Sequence, residues 1–301
     1  MTFTLLAAGS AMAQRNPPGT PPLPITPAPT QTNITVGPVL SPTSWTPIGP
    51  APLNSQTANN LVSGRITGVA ADPGNASIVY IAAAGGGVWK TTNAGSTWTP
   101  LTDTQQTLAM GAIAVAPSNA SKIYAGTGEA NNAADSNYGY GILVSNDGGA
   151  TWSLATGPAN AFNRTSVARI AVDPTNANVA YAALGDPYTM QGLTGNTGIW
   201  KTTDGGTTWT NTTVSIDSTF SWTDIAIDPT NTQILYAAHG DPFGSGTVNG
   251  VYRSTNGGTS WTLLTGAPTG ASSGRFAIAL APSNHSVLYV VISNPVTNGL
   301  L

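Results

Sequence analysis

Apolar positions along the chain fall into short runs, each ended by a turn residue, and this pattern predicts strands rather than helices. The runs belong to one recurring unit. A first strand ends in a Pro turn at Asp72-Pro73, Ala116-Pro117, Asp173-Pro174, Asp228-Pro229 and Ala281-Pro282. The residue four before each Pro is aliphatic: Val69, Ile113, Ile170, Ile225 and Ile278. A second strand reaches a tyrosine seven residues after the Pro, at Tyr80, Tyr124, Tyr181, Tyr236 and Tyr289. A third opens with Gly87, Gly141, Gly198, Gly250 and Gly299. A closing hairpin reads TTNAGSTW (91–98), SNDGGATW (145–152), TTDGGTTW (202–209) and STNGGTSW (254–261).

Self-similarity of this kind means repeated supersecondary units that bury their faces only against one another. Four short strands per unit make one blade of a β-propeller. The expected fold is all-β, with about 4.5 blades between Ser44 and Leu301 and the ring completed by sequence beyond the C-terminus. Ser44 to Gly49, around Trp45, reads as a lone fourth strand that would close a last blade.

The closing hairpin resembles the Asp box, S/T-x-D/N-x-G-x-T/S-W, of BNR-repeat propellers, a group that includes sialidases, xyloglucanases, sortilin-type receptors and photosystem assembly factors. Its matching residues are Asn93, Gly95 and Trp98, then Asp147, Gly149 and Trp152, then Asp204, Gly206 and Trp209, and finally Asn256, Gly258 and Trp261. Asn and Asp alternate at the third position, which fits a hydrogen-bond acceptor and not a proton donor or nucleophile. These residues are therefore read as structural: the side chain bonds nearby amides, and the Gly supplies positive φ.

Charged residues are only 7% of the chain and the net charge is −3, with nine Lys and Arg, which excludes the basic stripe that nucleic acid requires. No cysteine is present, so neither a disulfide framework nor thiolate zinc ligands are available. No run of 18 apolar residues suggests a membrane span. Residues 1–13, ending in Ala11-Met12-Ala13, read as a truncated bacterial signal peptide. Residues 14–43 read as a Pro/Thr-rich linker, which makes the propeller a secreted, periplasmic or cell-surface one.

Candidate chemistry lies in the loops between second and third strands. From Tyr to Gly they run 7, 17, 17, 14 and 10 residues, and unequal insertions mark a binding face. Five residues after the Tyr stand Glu129, Asp186 and Asp241 in three of these loops, the catalytic candidates. Arg65, Arg169 and Arg275 near the innermost strands, with Tyr138, Tyr140, Tyr188 and Phe243, are the ligand-binding candidates; aromatic faces suit sugar rings. No cofactor or metal site is expected, since His239 and His285 lack ligand spacing.

The catalytic relatives' signatures are incomplete. The sialidase Arg-Ile-Pro strand is matched only by Arg65-Ile66-Thr67 and Arg169-Ile170-Ala171. Tyr80 to Lys90 is similar to xyloglucanases, but Ala84 occupies the place of one of their catalytic aspartates. The sequence thus favours a propeller that binds a glycan or an extracytoplasmic protein through its variable loops. The alternative is a sialidase-like or xyloglucanase-like glycoside hydrolase using two carboxylates, and a third reading is a surface or assembly scaffold.

Overall fold

The computed structural model describes residues 53–55, 60–62, 64–131, 136–185, 196–240, 247–270, 273–294 and 299–300. The leader and linker expectations, and the Trp45 strand, lie outside these residues. The chain divides into two units, residues 1–63 and 64–301. In the first, β1 (Leu53–Ser55) and β2 (Asn60–Val62) form an antiparallel hairpin.

The second unit is a succession of antiparallel sheets, each built from strands consecutive in sequence. Blade one holds β3 (Ile66–Ala71), β4 (Val79–Ala83), β5 (Gly87–Thr91) and β6 (Thr99–Pro100). Blade two holds β7 (Met110–Ala116), β8 (Asn119–Thr127), β9 (Ile142–Ser145) and β10 (Ser153–Ala155). Blade three holds β11 (Ser166–Val172), β12 (Ala180–Gly185), β13 (Gly198–Thr202) and β14 (Thr210–Asn211). Blade four holds β15 (Trp222–Ile227), β16 (Leu235–His239), β17 (Gly250–Ser254) and β18 (Thr262–Leu263). Blade five contributes β19 (Phe276–Ala281), β20 (Asn284–Asn294) and β21 (Gly299–Leu300). This is the expected run of propeller blades.

The period-two alternation of each second strand assigns its side chains to two neighbours. In β12, Ala180, Ala182 and Leu184 pack with Tyr124, Ile142 and Val144 of blade two, while Tyr181 and Ala183 pack with Trp222, Ile225 and Leu235 of blade four. Tyr80 and Ala82 likewise meet Met110, Ile113 and Ile123. The core therefore lies between blades, as stacked repeats require.

The Asp boxes share one geometry. The first-position hydroxyls of Thr91, Ser145, Thr202 and Ser254 are buried. Each donates to the third-position side chain and accepts the amide of the box glycine at 2.8–2.9 Å. The third-position Oδ1 in turn accepts the seventh-position amide at 2.9 Å. The fourth and fifth residues both take positive φ, for example Ala94 at 53° and Gly95 at 90°.

Three boxes dock on the preceding blade. Lys90 Nζ and Tyr80 Oη donate to the Gly148 carbonyl at 3.0 and 3.2 Å. Lys201 Nζ and Tyr181 Oη donate to Gly257 at 2.7 and 2.9 Å, and Lys122 Nζ donates to Gly205 at 2.6 Å. Each Lys also lies 5.1–5.4 Å from the centroid of its Tyr ring.

Candidate functional site

The first strand of a blade pairs with the second so that its start lies at the second strand's end. Ile66 pairs with Ala83, Met110 with Thr127, Ser166 with Gly185, Trp222 with His239 and Phe276 with Ile292. The loops between second and third strands therefore share one end of the blades with the residues that open the innermost strands. In each of the first four blades the pairing slips by one residue just inside that end, at Thr67, Gly111, Ala168 and Thr223. Bulges of this kind re-aim side chains near a site. Thr67 Oγ1 donates to the Met110 carbonyl and Thr223 Oγ1 to the Phe276 carbonyl, both at 2.8 Å, stitching each blade to the next.

Three of the candidate residues meet here. Arg65, just before β3, grips Glu129 in a bidentate pair, Nε to Oε1 at 2.5 Å and Nη2 to Oε2 at 2.6 Å. Glu129 is 1% exposed, and its Oε1 also accepts Asn131 Nδ2 at 3.1 Å. From blade five, Arg275 Nη1 donates to the Ala130 carbonyl at 2.8 Å and to Asn131 Oδ1 at 3.3 Å. Burial lowers the Arg275 guanidinium, and the fields of Asp224 and Glu129 oppose that shift.

Arg169 lies on β11 with its side chain 65% exposed and Nε 3.7 Å from Asp224 Oδ1 of β15. Asp224 is raised above its ordinary value by burial, against the backbone amide of Ile278, the charge of Arg169 and the amide of Ile225. Its two oxygens accept the amides of Ile225 and Ile278, both at 2.9 Å. Arg65, Glu129, Arg169, Asp224 and Arg275 thus draw on all five blades. Arg169 also borders a cavity of about 400 Å³ whose other lining residues include Ile170, Val172, Ile225, Ile227, Ile278 and Leu280.

Asp224 was not singled out from the sequence, though a signal existed. It stands five residues before its Pro turn, the register that holds Arg169 in the preceding blade and Gly68, Ala112 and Ala277 elsewhere. The sequence also did not mark the pair His239 and Asp217. His239 is fully buried against Trp222, with Nε2 3.1 Å from Asp217 Oδ2. Burial alone would raise Asp217, but the neighbouring His239 and bonds from the amides of Thr219 and Phe220 hold it below its ordinary value.

Tyr138 and Tyr140 form an edge-on pair, centroids 5.6 Å apart, in the loop that carries Glu129. Asp186, Tyr188, Asp241 and Phe243 lie outside the described residues. Among the described residues, no group of three His, Cys, Asp or Glu could hold a metal ion, and no helix is long and apolar enough to cross a membrane.

Comparison with known proteins agrees with this architecture. The family model described as "Sortilin, neurotensin receptor 3" matches residues 140–275. A xyloglucanase of a Paenibacillus species is 27% identical over 73% of this chain and 23% of its own length. The xyloglucanase of Hypocrea jecorina is 29% identical over 68% of this chain and 26% of its own. The chain therefore spans about a quarter of the length of these curated relatives. Among solved structures, an ancestral GH74 enzyme superposes with a TM-score of 0.61 at 27% identity, covering 85% of this chain and 29% of that one. The Niastella koreensis GH74 enzyme, at 22% identity and a TM-score of 0.52, shares the fold. The described blades are those of an Asp-box repeat β-propeller that resembles the sortilin and xyloglucanase propellers.

Proposed function

We propose that this propeller belongs to an exported glycoside hydrolase of the xyloglucanase kind and that the end carrying the variable loops receives the glucan chain. The similarity to the Paenibacillus xyloglucanase over 73% of the chain carries this reading. Hydrolysis would need one carboxyl group to protonate the glycosidic oxygen and a second to activate water or attack the sugar. Asp186 and Asp241 are the candidates for these roles. Glu129 suits neither, because Arg65 occupies both of its oxygens.

The test is release of reducing ends from xyloglucan by the purified chain, with Asp186→Asn and Asp241→Asn as variants. Turnover that either substitution abolishes, at an unchanged unfolding midpoint, supports the proposal. A native chain that neither cleaves nor retains xyloglucan overturns it.

A second reading, glycan binding without turnover, is favoured by Ala84. This residue stands just after β4, where the resemblance to xyloglucanases implies a catalytic aspartate. Xyloglucan retention in affinity electrophoresis without any release of reducing ends selects this reading over the first.

A further inference from the structure

The described ends of the Glu129 loop of blade two are pinned by backbone and hydroxyl bonds. Glu129 N–H donates to the Asn137 carbonyl at 2.8 Å, and the returning segment is fixed by Thr127, whose Oγ1 accepts the amides of Tyr140 and Gly141 at 2.9 and 3.0 Å. Gly139 exchanges two backbone bonds with the segment entering blade three: its N–H reaches the Thr165 carbonyl at 2.7 Å, and its carbonyl accepts Arg164 N–H at 2.9 Å. Gly128, at φ 80°, packs so closely on Gly139 that an added Cβ would lie 2.5 Å from the Gly139 nitrogen.

This rigid base presents two half-buried aromatic rings at the loop end. Arg164 holds an unusual φ of 64°, and its guanidinium lies 5.6 Å from the centroid of the Tyr138 ring. Tyr138 meets Tyr140 edge-on and shares a hydrogen bond with its phenol, which raises the Tyr140 hydroxyl. Strained backbone that aims a charged side chain onto an aromatic pair is typical of a functional surface.

We infer that Tyr140, braced by Tyr138 and Arg164, is a stacking subsite for one pyranose ring of a neutral β-glucan chain. The sugar's C–H face lies on the Tyr140 ring, and the Tyr140 phenol offers a hydrogen bond to one of its hydroxyls. Tyr140 touches the sugar, whereas Tyr138 and Arg164 act as positioning residues. A fixed aromatic loses little conformational freedom on binding, which is why such a base favours affinity. The inference rests on the glycan-binding part of the reading above and holds whether or not the chain hydrolyses what it binds.

The experiment is calorimetric titration of the full chain with xyloglucan oligosaccharides, paired with thermal unfolding of each variant. Tyr140→Ala is expected to weaken binding about tenfold with an unchanged unfolding midpoint, and Tyr140→Phe to keep most of the affinity. Arg164→Gly relieves the positive φ, so it should leave the midpoint unchanged or raise it while lowering affinity, and Tyr138→Phe should restore the bracing that Tyr138→Ala removes. Native affinity in both Tyr140→Ala and Tyr138→Ala overturns the subsite and leaves glycan binding standing. If the native chain binds none of these oligosaccharides, the subsite and the glycan-binding reading fall together.

Discussion

At the residue scale the Asp box explains why two chemically different side chains share one role. Oδ1 accepts the seventh-position amide in every box, while the other side-chain atom meets the seventh-position hydroxyl. Asn93 and Asn256 donate to that hydroxyl at 2.8 Å, whereas Asp147 and Asp204 accept from it at 2.5 and 2.6 Å. A hydroxyl serves either partner, so only the direction of the bond changes. These bonds, led by the one from the seventh-position hydroxyl, lower Asp147 and Asp204 from 3.8 to about 2. A folded value below the unfolded one contributes stability above about pH 4 that is lost as pH falls toward 2. The double variant Asp147→Asn/Asp204→Asn should therefore show a shallower loss of melting temperature between pH 4 and 2 than the native chain, with similar midpoints at pH 7. Equal slopes would show that the two carboxylates contribute nothing to acid sensitivity.

At the element scale, the bulged first strands join neighbouring blades through single hydroxyls. Thr223 is buried, and Thr223→Val leaves the Phe276 carbonyl without this donor. The expected cost is about 1 kcal/mol, measured by urea unfolding, and Thr67→Val should behave alike at its more open position. A change below the error of the measurement would mean that water replaces the hydroxyl. The strands themselves were legible because their signals are local: a Pro turn, a Tyr seven residues on, a Gly, then the box. The contacts at the loop end were not legible in the same way. Arg65 and Glu129 are 64 residues apart, and Arg275 lies 145 from Ala130. Only the curvature of successive blades brings them together, and no local pattern encodes that curvature. Their sequence positions identified Arg65, Glu129 and Arg275 as polar groups at one end, but not that they neutralise one another.

At the scale of the whole molecule, those contacts act as a clasp that reaches from blade five back to blades one and two. Arg65→Met would leave Glu129 buried beside Asn131 without its bidentate partner, at an expected cost of about 2 kcal/mol given the partial exposure of Arg65. The paired variant Arg65→Met/Glu129→Met should recover most of it, and an additive double variant would exclude the coupling. Among the described residues, two apolar register positions are exposed in blades one and five. Val69 is 65% exposed where its register mates Ile170 and Ile225 are 5% and 2%. Tyr289 is 63% exposed where Tyr80, Tyr124 and Tyr181 are at most 2%. The 301-residue chain alone should therefore self-associate with rising concentration in sedimentation velocity, and Tyr289→Lys should suppress this. A native chain that stays monomeric at high concentration would contradict the expectation.

The seating of one blade's box on the Tyr and Lys of the blade before it has a bearing on how such chains change length. At the three described joints a box carbonyl meets a Lys of the blade before it, so copying or removing one whole unit there keeps a box opposite a Lys. Gene duplication in steps of a single blade is thus structurally cheap at the joints. The clasp at the loop end is different, because its members come from particular blades and an added unit would pull them apart. Selection that keeps the clasp would therefore hold the blade number between Arg65 and Arg275 fixed, while leaving the arc free to lengthen on either side of them.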